Sequence, residues 1–280
     1  MNPSVLMSAM AMRSSQQAID ITSHNLANLQ TTGYKSREAA FGDLFLAYLQ
    51  QPRQLGAQGR LTVEGLRQGN GVRLAGTLAD WRAGQPLHTE RELDWMIQGD
   101  AFFALEGADG ETWYTRDGNF HLSPAGDGNW HLVTASGHRL LGTDGQPLVL
   151  PRFRKLIVDP QGRMTIEREN GQVETLNQAI SLVRFRSSDI LESIGENRYR
   201  IPDAVLAGNQ PGDPPVWEAI PIGMRGEGTV SIRQGYLEAS NVDLAWEISQ
   251  LMLAQRAYQL NAQVLSSADR LLGLANSLRG

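Results

Sequence analysis

The chain contains no cysteine among its 280 residues. Disulfide bonds, thiolate catalysis and cysteine-ligated metal sites are therefore excluded. No apolar run reaches the roughly 20 residues that a membrane-spanning helix needs. Lysine and arginine form no block or stripe and the net charge is −5, so the sequence gives no support to nucleic-acid binding.

Catalytic signatures are also missing. The five histidines show no His-x-x-x-His spacing, which would place two metal ligands on one helix face. No Gly-x-Ser-x-Gly elbow, phosphate loop or dinucleotide fingerprint occurs. The sequence predicts a protein without enzymatic activity, metal or cofactor. A metal-dependent hydrolase that uses His121, His131 and His138 is the enzymatic alternative, if these side chains meet on one sheet.

The N-terminus does not have the pattern of a Sec signal peptide. Ala9-Met10-Ala11 resembles a cleavage site, but no basic residue follows the initiator Met until Arg13, and polar residues interrupt the apolar stretch. If the protein leaves the cell, we expect it to use another export route.

Matching heptad patterns stand at the two ends of the chain. Apolar residues recur every seven positions in each, at Val5, Met12, Ile19 and Leu26 and at Leu244, Leu251, Tyr258, Leu265 and Leu272, with Ile248 near the second stripe. A seven-residue repeat places a narrow apolar stripe along one side of a helix. Gln255 and Asp269 interrupt the companion heptad position, which favours packing among several helices over a two-stranded coiled coil. We therefore predict terminal helices that pack together and self-assemble.

Local signals give the bounds of these helices. Asn2 and Pro3 suit an N-cap and a first helical residue, and the first pattern runs to about Asn28. Ser240, with Asp243 three residues later, predicts the start of a last helix that continues to about Leu278.

The middle of the chain has a different character. Scattered glycines without helical periodicity predict an extended arm or hairpin over 35–80, and short apolar segments between Asp-Gly dipeptides predict a β-rich domain over 81–220. Residues 113–116 and 119–122 flank Asp117-Gly118 and predict one hairpin. With a first helix in 1–34 and a return segment plus helix in 221–280, the predicted fold class is α+β.

Six tryptophans allow a further alternative from a different class. Trp81, Trp95, Trp113, Trp130, Trp217 and Trp246 could form a platform that binds cell-wall glycan on a secreted β-domain. Packing in a core or an interface is the more common role of large aromatic residues.

Two sequence motifs near the chain ends carry a family resemblance. The first is Asn25-Leu26-Ala27-Asn28 followed by Thr32-Gly33-Tyr34-Lys35. The second begins with Gln234-Gly235 and continues through Ser240-Asn241-Val242-Asp243 to Gln255-Arg256 and Tyr258. Between them, Gly99-Asp100-Ala101-Phe102-Phe103 and Tyr114-Thr115-Arg116-Asp117-Gly118 complete the pattern. In this order the motifs resemble the bacterial flagellar axial family of rod and hook proteins, and most of all the distal rod protein.

That resemblance implies a structural role. Members of the family have an α-helical inner layer formed by both termini and a β-rich domain outside it, and they stack helically into a hollow tube that transmits torque from motor to hook. The resemblance implies a place in the flagellar basal body in the cell envelope. Its implied partners are copies of the same chain, other rod and hook subunits, the flagellar type III export apparatus, and peptidoglycan or a surrounding bushing ring.

Two finer expectations depend on the same resemblance. Phe41-Gly42-Asp43-Leu44-Phe45 fits the export element of rod and hook substrates, with Phe41, Leu44 and Phe45 as its apolar residues, although Phe41 also suits packing. Trp95-Met96-Ile97 is bulkier than the usual distal-rod pattern, so a paralogous proximal-rod or hook-basal-body protein stays the near alternative.

Overall fold

The computed structural model describes residues 3–43, 47–48, 67–68, 72–107, 110–126, 128–208, 216–221 and 229–277. The chain forms two compact units. Unit 1 comprises Met1–Ala27, Arg37–Ala79 and Asp243–Gly280, and unit 2 comprises Asn28–Ser36 and Asp80–Val242. The α+β fold class is confirmed, because the terminal helices pack together and the middle of the chain is rich in strands.

Unit 1 contains the two long helices and the strands that follow the first of them. Its helices are α1 (Pro3–Ala27) and α3 (Leu244–Ser277), and its strands are β1 (Arg37–Asp43), β2 (Ala47–Tyr48), β3 (Arg67–Gln68) and β4 (Val72–Ala79). Strand β1 pairs antiparallel with β4, and β2 pairs antiparallel with β3. None of the described helices is long and apolar enough to cross a membrane.

The start of α3 differs from the predicted one. The helix begins at Leu244, and Asp243 rather than Ser240 is its N-cap. The Asp243 carboxylate accepts hydrogen bonds from the backbone N–H groups of Ala245 and Trp246, which have no partner within the helix. The Ser240 hydroxyl instead accepts from the N–H of Val242 in the preceding turn. Both residues suit a cap, and the local pattern did not distinguish them.

Unit 2 is built from short strands. These are β5 (Pro86–His88), β6 (Trp95–Gln98), β7 (Phe102–Glu106), β8 (Thr112–Thr115), β9 (His121–Gly126), β10 (Asn129–Val133), β11 (Val149–Leu150), β12 (Lys155–Val158), β13 (Arg163–Glu167), β14 (Val173–Ala179), β15 (Leu182–Phe185), β16 (Glu192–Gly195), β17 (Arg198–Arg200), β18 (Trp217–Ala219), β19 (Ser231–Gln234) and β20 (Tyr236–Glu238). A 3-10 turn (Ser188–Ile190) and a short helix α2 (Asp203–Gly208) complete the described elements of this unit.

Pairing in unit 2 joins segments that are far apart in sequence. The largest sheet has the order β16-β17-β8-β7-β15-β18, and two three-stranded sheets have the orders β11-β10-β9 and β12-β13-β14. The last two strands of the unit pair with its first two, β20 with β5 and β19 with β6. The end of the unit is therefore fixed to its beginning.

Two cores cover opposite faces of strand β7. Phe103 and Leu105 lie in the larger core, while Phe102 and Ala104 lie in the smaller, aromatic one. This division follows from the strand, in which successive side chains point to opposite faces. A strand buried on both faces is consistent with the apolar Ala-Phe-Phe-Ala-Leu sequence at this place.

The predicted hairpin around Asp117-Gly118 is wrong. Strand β8 pairs with β7 and β17, whereas β9 pairs with β10. Gly118 lies directly against the backbone of Trp95. A Cβ at this position would be only 1.7 Å from the Trp95 carbonyl oxygen. Its carbonyl accepts the N–H of Trp95 at 3.0 Å. Glycine is needed here for close backbone approach rather than for a two-residue turn.

Candidate assembly surface and motif cluster

In unit 1 the helices α1 and α3 run antiparallel. Asn25 near the end of α1 binds Glu247 near the start of α3, with 2.8 Å between the amide nitrogen and the carboxylate oxygen. Ala11 and Asn261, further from those ends, line one shared groove. The heptad prediction that the terminal helices pack together is thus confirmed at the level of the fold.

The side chain of Asn25 joins three elements of unit 1. Its amide nitrogen donates to the Arg37 carbonyl and to Glu247, and its carbonyl oxygen accepts the N–H of Arg37 at 2.9 Å. Asn25 is 1% exposed, so losing these partners would leave buried polar groups unpaired. Asn25, the first residue of the Asn-Leu-Ala-Asn motif, therefore connects the C-terminal end of α1 to the start of β1 and to the start of α3.

Glu247 is buried in the same junction. Burial raises the pKa of its carboxyl group, and the nearby Glu38 and Asp243 carboxylates add to the increase, against the hydrogen bond from Asn25. A carboxyl group in this position binds a proton more readily in the folded protein than in the unfolded chain.

The predicted heptad residues are not the most buried ones. Among the residues of α1 whose side chains the structure describes, Ser8, Ser14, Thr22 and Asn25 are the buried ones, whereas the described heptad positions of both helices are half-buried or exposed. Half-buried are Val5, Met12, Ile19, Leu26, Leu251, Tyr258 and Leu265. Leu244 is 44% and Ile248 40% exposed, and the Leu272 side chain lies outside the described residues. The buried positions of α1 are thus small or polar residues rather than the large apolar residues of the heptad.

A second row of apolar residues on α3 was not predicted from the sequence. Its members are exposed, at 62% for Leu260, 51% for Val264, 67% for Leu271 and 61% for Leu274. At about 100° per residue these four positions lie within an arc of about 80° on the helix surface. We call this surface the apolar row. Counting heptads from Leu253 or Val264 as well as from Leu244 would have found it.

A groove of about 620 Å³ opens beside the helix pair in unit 1. Small residues of both helices line it, including Ser15, Ala18, Ala254 and Ala257. Larger side chains also line it, namely Phe41 of β1 and Trp246 and Leu253 of α3. The exposure of Phe41 and Trp246, at 47% and 59%, leaves apolar surface in contact with water.

In unit 2 the family motifs meet at Glu238. One carboxylate oxygen of Glu238 lies 2.6 Å from the Lys35 ammonium nitrogen, and the other lies 3.0 Å from Nε of Arg116. Arg116 also donates to the carbonyls of Gly99 and Ala101. The two central motifs, the segment around Lys35 and the Gln-Gly-Tyr-Leu-Glu run therefore share one buried ionic cluster.

Two cations, Lys35 and Arg116, share the single carboxylate of Glu238 in this cluster. Burial lowers the pKa of Lys35, and the Arg116 charge lowers it further, against the attraction of Glu238. Burial alone would raise the pKa of Glu238, but the charges of Arg116 and Lys35 outweigh it and hold that pKa below its usual range. Nη2 of Arg116 is buried without a hydrogen-bond acceptor among the described residues. Removing Glu238 would thus leave two buried cations unpaired.

Backbone contacts fix the segment before Lys35 to the same region of unit 2. Gly33 donates its N–H to the Glu238 carbonyl, and the Thr32 hydroxyl donates to the Asp117 carboxylate at 2.8 Å. Gly33 has φ +67, and a Cβ there would meet the Asp117 backbone at 2.7 Å. This position therefore needs glycine for conformation and for space.

Asn241 forms a comparable junction at the end of unit 2. Its side-chain oxygen accepts the Ser36 N–H at 2.7 Å, and its nitrogen donates to the carbonyl of Asp80 at 2.7 Å. Three segments of unit 2 that are far apart in sequence are held by one amide.

The other motif residues have local roles or are exposed. The Gln234 amide donates to the carbonyls of Glu92 and Leu156, Gly235 has φ +78, and Tyr34 and Val242 are buried. Asn28 accepts a hydrogen bond from the Thr31 hydroxyl. Gln255 and Arg256 are exposed on α3. Of the predicted export element, Phe41 lies on β1, while Leu44 and Phe45 lie outside the described residues.

The residues of the alternative functions are dispersed. His131 contacts the Leu148 carbonyl, His138 contacts Trp113 and Arg198, and His121 contacts Arg91. Among the described residues no group of three His, Cys, Asp or Glu side chains is placed to hold a metal ion. The tryptophans differ in exposure. Trp95 is fully buried, whereas Trp217 in unit 2 and Trp246 in unit 1 are 40% and 59% exposed.

Family models match three stretches of the chain. Residues 5–35 match "Flagella basal body rod protein", residues 96–175 match "Flagellar hook protein FlgE/F/G D1 domain", and residues 233–278 match "Flagellar basal body rod FlgEFG protein C-terminal". The chain is 31% identical to the flagellar basal-body rod protein FlgG of Bacillus subtilis over 93% of both sequences. The chain belongs to the flagellar basal-body rod and hook protein family. The resemblance inferred from the motifs is confirmed.

Other flagellar relatives match over nearly the whole length. FlgG of Caulobacter vibrioides is 31% identical over 97% of both chains. The flagellar hook-basal body complex protein FlhP of Bacillus subtilis is 29% identical over 99% of both chains. The names of these relatives are those of flagellar rod and hook-basal-body proteins.

Proposed function

We propose that this chain is a structural subunit of the flagellar basal-body rod, most similar in role to the distal rod protein. It assembles helically with copies of itself and with other rod and hook subunits into a hollow axial tube that transmits torque from motor to hook. The observation that carries the proposal is the match to FlgG over almost the full length of both proteins. The structure supports it, because the paired terminal helices leave apolar surface uncovered.

The protein acts mechanically and has no catalytic role in this proposal. It leaves the cell through the flagellar type III apparatus, for which Phe41 and the adjoining Leu44 and Phe45 provide the export element. The heptad residues of α1 and α3 contact neighbouring subunits, since those that the structure describes are half-buried or exposed within the single chain.

Complementation tests this proposal. Deleting the gene should abolish motility, and the wild-type chain should restore it. The Leu251→Ala and Leu265→Ala variants should be exported but should restore motility poorly. Wild-type motility in the deletion strain would contradict the proposal. Full restoration of motility by both variants would contradict only the assignment of the heptad residues to the interface between subunits.

A second candidate within the family is a paralogous hook-basal-body protein. The match to FlhP over 99% of both chains favours it. The two roles differ in whether the rod is built without the protein. A deletion strain whose basal bodies still contain complete rods would favour the paralogue, and truncated rods would favour the distal rod subunit.

A further inference from the structure

Arg116 is held in one orientation inside unit 2 and is only 2% exposed. Its Nε donates to the Glu238 carboxylate at 3.0 Å, and its Nη1 donates to the carbonyls of Gly99 at 2.9 Å and Ala101 at 2.8 Å. These three bonds fix the plane of the guanidinium group. The remaining nitrogen, Nη2, is buried and has no hydrogen-bond partner among the described residues. A buried N–H of a charged group is costly to leave unpaired, so this position requires an acceptor.

A second unpaired donor belongs to a side chain that packs against the same aromatic ring. The indole Nε1 of Trp81 is also buried and has no acceptor in the described part of the chain. The Trp81 ring centroid lies 5.4 Å from that of Phe102, and the guanidinium carbon of Arg116 lies 5.5 Å from the Phe102 centroid. Both unpaired donors therefore belong to side chains that surround Phe102.

Two cations share one carboxylate in this region, which leaves an excess positive charge. Lys35 and Arg116 both bind Glu238. Asp80 also acts on Lys35, but its Oδ2 lies 2.8 Å from Nε of Arg82, and that pair is neutral by itself. Burial and the Arg116 charge lower the pKa of Lys35, as expected for cations that crowd around one carboxylate. A further negative charge would therefore stabilise the cluster.

The nature of the two unpaired groups distinguishes between the possible ligands. A guanidinium N–H and an indole N–H are donors only. A water molecule would accept from both, but its own two hydrogens would need acceptors in turn, and it carries no charge. A halide ion only accepts hydrogen bonds, and its charge offsets the excess cation. The chemistry of the site therefore favours a small monovalent anion.

We infer that unit 2 binds one anion of the size and charge of chloride through Nη2 of Arg116 and Nε1 of Trp81. The ion completes the buried cluster that the family motifs form around Glu238, and it stabilises the fold of this unit. The inference does not depend on the proposed function, so either can fail without the other.

The stability of the purified full-length chain in different salts tests the site. Urea unfolding is followed by circular dichroism in potassium chloride and in potassium gluconate at equal ionic strength, because gluconate is too large for a buried site of this kind. We expect the unfolding equilibrium constant to fall about tenfold for each tenfold rise in chloride above the dissociation constant. Gluconate should not have this effect. Equal stability in the two salts at every concentration would overturn the inference.

Two tryptophan variants separate a bound ion from a general effect of salt. Trp81→Phe removes the N–H but keeps an aromatic ring against Phe102. Trp217→Phe is the matched control, because Trp217 is 40% exposed on strand β18. Trp81→Phe should raise the chloride concentration for half of the stabilisation at least about tenfold, as expected for one lost hydrogen bond to a charged group. Trp217→Phe should behave as the wild type. The same chloride dependence in all three chains would overturn the inference.

Bromide gives a direct readout that needs no variant. Crystals of the wild-type chain grown with bromide in place of chloride should show an anomalous peak within hydrogen-bond distance of Nη2 of Arg116 and Nε1 of Trp81. A water molecule at this place, or protein acceptors on both nitrogens, would overturn the inference even if chloride stabilises the chain.

Discussion

The ammonium group of Lys35 lies 2.6 Å from a carboxylate oxygen of Glu238, although the two residues are separated by 203 positions in the sequence. Both side chains are 1% exposed. Glu238 also binds Arg116 and the N–H of Gly84, so one carboxylate connects four segments of unit 2. The motif residues therefore stabilise the fold of this unit, in addition to any contact that they make with other subunits.

Removing this carboxylate should strongly destabilise unit 2. We expect Glu238→Gln to lower the free energy of unfolding by about 3–5 kcal/mol, because two buried cations lose their counter-ion. Lys35→Met should cost less, since Arg116 still neutralises Glu238. Denaturant titration followed by tryptophan fluorescence measures both. Glu174→Gln, which removes an exposed partner of Arg168, is the control and should change stability by less than about 1 kcal/mol.

Gly33 provides a matched pair with Gly171. Both have positive φ, +67 and +77, but a Cβ at Gly171 meets open space. Gly171→Ala should therefore cost only the conformational term of about 1–2 kcal/mol. Gly33→Ala should cost clearly more, because its Cβ also meets the Asp117 backbone. Thermal unfolding of the two variants compares them directly, and equal shifts in melting temperature would refute the steric contribution.

Glu247 makes the stability of the helix pair depend on pH. Its pKa is raised in the folded protein, so its stabilising contribution is present below the unfolded pKa and is lost as the pH rises through the folded pKa. Glu247→Gln keeps an acceptor for Asn25 without a charge. It should raise the melting temperature at alkaline pH and change it little in acid, as measured by circular dichroism. Asp269→Asn, an exposed change on α3, is the control and should not reproduce this pH-dependent difference.

Alanine variants of Leu251 and Leu260 distinguish an effect on folding from an effect on assembly. Leu251 is half-buried in the single chain, whereas Leu260 is 62% exposed. Leu251→Ala should destabilise the helix pair by about 1–2 kcal/mol, roughly half the usual cost of a fully buried leucine. Leu260→Ala should leave the melting temperature of the monomer unchanged but reduce motility. A monomer destabilised equally by both changes would show that Leu260 packs within its own chain.

Much of the architecture could be predicted from local patterns. The heptads, the caps and the turn dipeptides indicated two terminal helices around a β-rich middle, and the order of the motifs indicated the family. Pairing between distant segments could not be predicted, because strand periodicity carries no information about partners. The β6–β19 and β5–β20 pairs and the Lys35–Glu238 ion pair are of this kind.

The burial of small residues also could not be predicted from the sequence. Ser8, Ser14 and Thr22 of α1 are buried, yet their weak hydrophobicity gives no signal in a count of apolar residues. The large heptad residues attracted attention because they are apolar, although they are only half-buried in the single chain. Asp117-Gly118 led to a wrong hairpin prediction, since a glycine permits close approach of two backbone segments as readily as it permits a turn.

The central claim is that this chain builds the rod. Electron microscopy of basal bodies purified from cells that express an epitope-tagged subunit tests it most directly. The account predicts antibody label or tag density that repeats along the rod between the motor and the hook. Complete rods without the tag, from cells in which the tagged chain restores motility, would contradict it.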